Sequence, residues 1–178
     1  MNKDLLKRAL SRLDEIFVEN DHKGATFLAC GGGALILMGL ITRDTVDLDV
    51  IEPSVNGDVL KFVSQVAKEL KLDDRWLNSD CETLSRDLPK GWKSDLAPLF
   101  GGRRVIVMGL SRQNIINTKF WALCDRSDDD LEDLINLQPT ENELNSAVVW
   151  TMPLDGHPDW SKHVQDCLGR VKKRLGHV

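Results

Sequence analysis

The sequence predicts an α/β (α+β) fold, a small mixed sheet flanked by helices with further helices at the C-terminus. Short apolar or alternating runs fall in the first two-thirds of the chain, at "ATFLAC" (25–30), "TVDLDVI" (45–51) and "RRVIVMGL" (103–110). Between them lie stripes at three- and four-residue spacing, and after residue 111 only such stripes remain. Strands gathered early and helices late describe a sheet domain followed by a helical part.

Leu5, Leu6, Ala9, Leu10, Leu13, Ile16 and Phe17 predict an amphipathic helix ending near Asn20. "ATFLAC" is too short for a helix and bounded by glycines, so it reads as a buried strand. "ALILMGL" then reads as a short helix starting at Gly31–Gly33. "TVDLDVI" alternates strictly and is β-branched, which predicts a strand over Thr45–Ile51, closed by Pro53. Val59, Leu60, Val63, Val66, Ala67 and Leu70 form the next helical stripe, with Ser54 or Asn56 as its cap. Residues 71–102 hold two prolines and no sustained period, and read as a long excursion with one short element near Trp76.

"RRVIVMGL" predicts a strand followed by a helix capped by Ser111. "DDDLEDLINL" continues as helix, and Thr140 with Glu143 stand at capping-box spacing before the next one. The last helix is expected to open at Pro158 and to bury Trp160, Val164, Cys167, Leu168 and Val171.

Composition narrows the function. With 42% hydrophobic and 29% charged residues the chain is globular, and 178 residues suffice for one ordinary domain. Cys30, Cys81, Cys124 and Cys167 are scattered without zinc spacing, and read as reduced thiols filling the core. No apolar stretch approaches a membrane span or a signal peptide, so a cytoplasmic protein is expected. The net charge of -5 argues against general nucleic-acid binding. The basic tail Arg170, Lys172, Lys173 and Arg174 reads either as a solvated helix end or as a hold for RNA.

The chemistry concentrates at "CGGGALILMGLITRDTVDLDVIEP". Side chains two apart on a strand share a face, so Asp47 and Asp49 would project side by side as carboxylates suited to Mg²⁺. A glycine turn opening a helix offers backbone N–H groups and a positive dipole end to phosphate. Each feature also has a plain reading, a tight turn and two solvated acids. Their succession as strand, glycine turn, helix and Thr-x-Asp-x-Asp favours a nucleoside triphosphate with Mg²⁺ between them.

These residues resemble the signature of the DNA polymerase β-type nucleotidyltransferase superfamily. The form Gly-Gly-x-Ala-Leu, then Arg43, Thr45, Asp47 and Asp49, is similar to its minimal abortive-infection branch, the toxins of type IV toxin–antitoxin pairs. "TKFWALCDRSDDDLEDLINL" resembles a later motif of that family. The resemblance implies a nucleotidyltransferase-like domain over 1–138, with 139–178 a helical extension packed on it. It makes Asp47 and Asp49 the metal carboxylates, for two Mg²⁺ ions. Gly31, Gly32, Gly33 and Thr45 become the nucleotide turn, Lys119 a nucleotide-contacting lysine and Asp130 a later acid of the site. Arg126 and Asp133 become a supporting ion pair. The implied reaction moves an NMP from an NTP to a tRNA or protein hydroxyl, with an antitoxin as a possible partner.

From the residues alone, Lys119 is equally a surface position on an amphipathic helix. Asp128, Asp129, Asp130 and Asp133 equally suit a solvated helix start. Polymerase-like members bring a third carboxylate from a neighbouring strand. "RRVIVMG" carries none, and Asp95 is a poor substitute. A catalytically inactive binding or regulatory protein of the same fold, and a metal-dependent phosphohydrolase, therefore stand as alternatives.

Overall fold

The computed structural model describes residues 1–125 and 129–176; Arg126 and Asp128, to which the sequence assigns roles, and His177 lie outside them. The fold is mixed α/β, with a five-stranded sheet and C-terminal helices, as the sequence predicts. The chain forms two compact units, Met1–Leu110 and Ser111–Val178.

The first unit contains α1 (Lys3–Glu19), β1 (Ala25–Cys30), α2 (Gly31–Met38), β2 (Leu48–Glu52), α3 (Gly57–Leu70), β3 (Leu77–Asn78), β4 (Ala97–Gly101) and β5 (Val105–Gly109). The strand order is β3-β2-β1-β5-β4. β1 runs antiparallel to β2 and parallel to β5. β3 lies parallel to β2, and β4 antiparallel to β5.

The stripe predicted for α1 is the core of this unit. Leu6, Leu10, Leu13, Ile16 and Phe17 are fully buried with Phe27 of β1, Val50 of β2, Val63 and Val66 of α3, and Val105 and Val107 of β5. Trp76 joins them, and its indole N–H donates to the Val63 carbonyl at 3.0 Å, so its one polar atom is buried with a partner. α2 buries Ala34 to Leu37 on successive faces, as an element enclosed on several sides must.

Three expectations about the strands need correction. The strand predicted over Thr45–Ile51 begins only at Leu48. The Thr45 hydroxyl donates to the Asp47 carbonyl at 3.2 Å, a local bond that competes with the sheet ladder. The irregular stretch contains β4, masked by Pro98 and Gly101; such a strand is tolerated at a sheet edge, and β4 is one. The strand predicted from Arg103 starts at Val105, because Arg103 and Arg104 form the turn of the β4–β5 hairpin.

That turn is held by a residue the hydrophobic pattern does not reveal. Asp14, on α1, accepts backbone N–H bonds from Arg103, Arg104 and Val105 at 3.0, 2.6 and 2.8 Å. Burial alone would raise its pKa, but the three donors overcome that and hold it below the usual carboxylate range. A side chain at Gly102 would collide with this carboxylate.

The second unit comprises α4 (Arg112–Asp125), α5 (Asp129–Leu137), α6 (Glu141–Thr151) and α7 (Trp160–Leu175). Ser111 caps α4 through a 3.4 Å bond to the Asn114 N–H. Thr140 and Glu143 form the predicted capping box on α6. α7 starts at Trp160 rather than Pro158, and buries Trp160, Val164, Cys167 and Val171, while Leu168, expected with them, is only half-buried at the edge of that face. Among the described residues no helix is long and apolar enough to cross a membrane.

Candidate functional site

The register of β1 against β2 places Cys30 opposite Asp49, and Gly31 follows Cys30 as the first residue of α2. The glycine turn and the second aspartate are therefore brought together by strand pairing, not by a flexible loop. Gly31 has φ +68°, a region that disfavours side chains, and a Cβ there would lie 2.6 Å from Asp49 Oδ2. A Cβ on Gly33 would lie 2.6 Å from the Asp47 carbonyl oxygen. At Gly32 it would meet Arg43 Nη2 at 3.2 Å and Thr45 Oγ1 at 3.6 Å. Gly31 and Gly33 are thus required by different parts of the 43–49 segment, whereas a side chain at Gly32 asks only a small shift of the flexible Arg43 end.

Gly32, Arg43, Asp44, Thr45, Asp47 and Asp49 line one open cleft of about 580 Å³, together with Met1 and Val46. Both aspartates are half-buried. Asp47 lies just ahead of β2 and Asp49 within it, and both line the cleft. Thr45 is buried, and its hydroxyl also stands 3.5 Å from Asp47 Oδ1. Its N–H donates to the Met1 carbonyl at 3.0 Å, which ties down the segment carrying the acids. At the start of α2 Cys30 makes no side-chain cap, so the positive dipole end of the helix faces the segment of the acids without a competing side-chain acceptor from the cap.

Sequence reasoning missed Asn78. On the far side of β2, β3 pairs so that Asn78 stands beside Asp49, and Asn78 Nδ2 lies 3.4 Å from Asp47 Oδ2. The strand at 105–109 does not adjoin β2, whose second neighbour is β3. A two-residue strand gives almost no periodicity from which to find it.

Asp47, Asp49 and the Thr45 hydroxyl offer oxygen donors alone, the chemistry a hard divalent cation requires. The donor chemistry of these residues fits Mg²⁺.

Lys119, Asp130 and Asp133 meet in the second unit. Lys119 Nζ lies 2.7 Å from Asp130 Oδ1 and 2.7 Å from Asp133 Oδ2. Asp133 is wholly buried, and the Lys119 side chain is 11% exposed. Burial opposes the ammonium charge, yet the two carboxylates outweigh it and raise the Lys119 pKa above the ordinary lysine value. Lys119 is thus the centre of an ion cluster rather than an open surface position.

A mixed sheet whose glycine turn and Asp-x-Asp pair share a cleft defines a nucleotidyltransferase-type protein. The chain belongs to the family described as nucleotidyltransferase of unknown function (DUF6036), whose model matches residues 4–152. No curated protein and no solved structure matches the chain.

Proposed function

We propose that this protein is a metal-dependent nucleotidyltransferase that moves an NMP from an NTP to a hydroxyl of RNA or protein. The observation that carries the reading is the packing of Asp49 against the side-chain-free Gly31. It joins a carboxylate pair for a cation to a helix start for phosphate within one cleft. A divalent cation bound by Asp47 and Asp49 would supply positive charge to the triphosphate and acidity to the acceptor hydroxyl.

The chain's own groups have distinct tasks in this reading. The N–H groups of Gly31–Gly33 bind the phosphates, and Arg43, which lies over Gly32, adds positive charge at the same place. Thr45 and Asn78 orient the Asp47 carboxylate from two sides. Lys119 and Asp130 are assigned to the nucleotide by the motif they belong to. The resemblance of the Arg-x-Thr-x-Asp-x-Asp run to abortive-infection enzymes extends the reading to a toxin with a tRNA acceptor and a cognate antitoxin.

One observation favours a second reading, a nucleotidyltransferase fold that binds or regulates without catalysis: Lys119 is engaged by two aspartates, Asp130 and Asp133. Incubation with each α-labelled NTP, Mg²⁺ and total RNA or protein separates the two. Label on a macromolecule, lost in Asp49→Ala, is expected. Release of free phosphate instead would make the protein a phosphohydrolase, and no Mg²⁺-dependent nucleotide binding would leave the regulatory reading.

A further inference from the structure

We infer that Cys124 and Cys167 are a redox-active thiol pair, in which Cys167 meets the oxidant and Cys124 resolves it to a disulfide. This modification site lies within the second unit and is independent of the proposed reaction.

The two thiols are brought together from the last turn of α4 and the middle of α7. Both are buried, Cys124 at 6% exposure and Cys167 at 1%, and they are hydrogen-bonded to each other. His163 stands one helical turn before Cys167, on the same side of α7. Its Nε2 lies 2.8 Å from the Cys124 carbonyl oxygen and 3.7 Å from Cys167 Sγ. A carbonyl oxygen can only accept, so Nε2 carries a proton and turns an N–H, not a lone pair, toward this corner.

That tautomer sets the direction of the thiol–thiol bond. Cys167 finds no acceptor in the imidazole, so its sulfur is the natural acceptor and the Cys124 S–H the donor. Both neighbours therefore favour a thiolate at Cys167. The Cys124 hydrogen bond, with His163 and Arg170 nearby, outweighs burial and the Asp166 carboxylate and holds the Cys167 pKa below the ordinary thiol value. Donating that bond, and burial, push the Cys124 thiol up.

A metal site, the other use of such a cluster, fails on the donor count. His163 offers a hydrogen rather than a lone pair, and two sulfurs alone do not complete a tetrahedral shell. Among the described residues no group of three or more His, Cys, Asp or Glu side chains is arranged to hold a metal. His163 itself is exposed, so the pair lies one side chain beneath the surface, within reach of a small peroxide.

With hydrogen peroxide as oxidant, the Cys167 thiolate attacks one oxygen and the O–O bond breaks. A sulfenic acid forms, and the departing hydroxide takes up the proton that Cys167 gave up. The Cys124 sulfur then attacks the sulfenic sulfur. The S–S bond forms, the S–O bond breaks, and the Cys124 proton leaves with that oxygen as water. The two thiols lose two electrons, and the peroxide is reduced to two waters. The disulfide ties the end of α4 to α7.

Treatment of the full chain with stoichiometric hydrogen peroxide, then denaturation, alkylation of the remaining thiols and peptide mass spectrometry, tests this. Cys124 and Cys167 should be joined, reversibly by dithiothreitol, at least about tenfold faster than Cys30 or Cys81 is oxidised. Cys124→Ser leaves nothing to resolve the sulfenic acid, so dimedone should then label Cys167. Cys167→Ser should leave Cys124 unreacted over the same time. Oxidation of Cys30 or Cys81 ahead of the pair, or a pair that stays reduced, would overturn the inference. So would a Cys167 that passes to sulfinic acid with no disulfide, or dimedone on Cys124 in Cys167→Ser. The native peptide map decides the matter even if a variant does not fold.

Discussion

The cleft of the first unit and the ion cluster of the second contain the same kinds of side chain and use them in opposite ways. In the cleft, Asp47 and Asp49 are half-buried beside a glycine turn and open to a ligand. In the cluster, Asp130 and Asp133 close on Lys119 at 2.7 Å, with Asp133 wholly buried. Carboxylates at an open cleft stay within reach of a ligand. Carboxylates closed on an ammonium are part of what holds the fold together once it is dry. Acidic residues in a sequence therefore carry two meanings, and what tells them apart is the charge packed against them.

The comparison is broken most directly at Asp49. Asp49→Ala removes one carboxylate of the cleft and should leave the chain folded. Nucleotidyl transfer should fall at least about a thousandfold, the scale of losing several kcal/mol of transition-state stabilisation. Labelled-NTP transfer together with calorimetry reads both. Full activity would remove Asp49 from the site.

Lys119→Ala should show the reverse balance. It removes the ammonium shared by Asp130 and the buried Asp133, and breaking a buried pair costs on the order of 3 kcal/mol or more. Denaturant unfolding measures the loss. Nucleotide binding, followed by the quenching of a fluorescent NTP analogue, should also weaken if Lys119 reaches the triphosphate. Unchanged binding in the folded variant would assign Lys119 to support alone.

These two regions also differ in how far the sequence reveals them. Gly31–Gly33, Thr45, Asp47 and Asp49 lie within nineteen residues, so one local pattern brings the cleft into view. The helices of the second unit are legible from their stripes and from the Thr140–Glu143 box, and the Lys119–Asp133 block stands out as a motif. What stays hidden is whatever tertiary pairing decides. Asn78 gains its place from two residues of strand, and β4 is disguised by Pro98. Asp14 reads as one more exposed acid on α1 until the hairpin turn is found against it. The start of β2 stays hidden because Thr45 bonds locally, an option that an alternating pattern does not disclose.

Asp14 sharpens the comparison within the first unit, since it is a carboxylate whose partners are backbone donors rather than a ligand. Asp14→Asn should cost about 2 kcal/mol, the scale of losing charge-assisted bonds at a turn. The effect should depend on pH in a fixed direction. The folded-state pKa is depressed, so the stabilisation is fully present above the unfolded-state value and is lost as pH falls through the folded one. The gap in melting temperature between native and Asp14→Asn chains should therefore narrow on acidification below about pH 4, the ordinary aspartate range. A gap independent of pH would mean that the carboxylate charge is not what the turn recognises.

The smallest effect belongs to the capping box of α6. Thr140 Oγ1 accepts the Glu143 N–H at 3.2 Å, and Glu143 Oε2 accepts the Thr140 N–H at 2.8 Å. Arg112 Nε also donates to Glu143 Oε1 at 2.7 Å, so the same carboxylate links the start of α6 to the start of α4. Thr140→Ala deletes one half of the box and leaves the Arg112 bond, at a cost of about 1 kcal/mol. Thr140→Ser keeps the hydroxyl and should restore the loss, whereas Glu143→Ala removes both links and should cost more than Thr140→Ala. Transfer activity should be unchanged in Thr140→Ala at temperatures below unfolding. That outcome separates the second unit's contribution to stability from its contribution to the nucleotide, because the cap stabilises α6 without touching Lys119. A loss of activity in folded Thr140→Ala would instead tie the setting of α6 to the reaction.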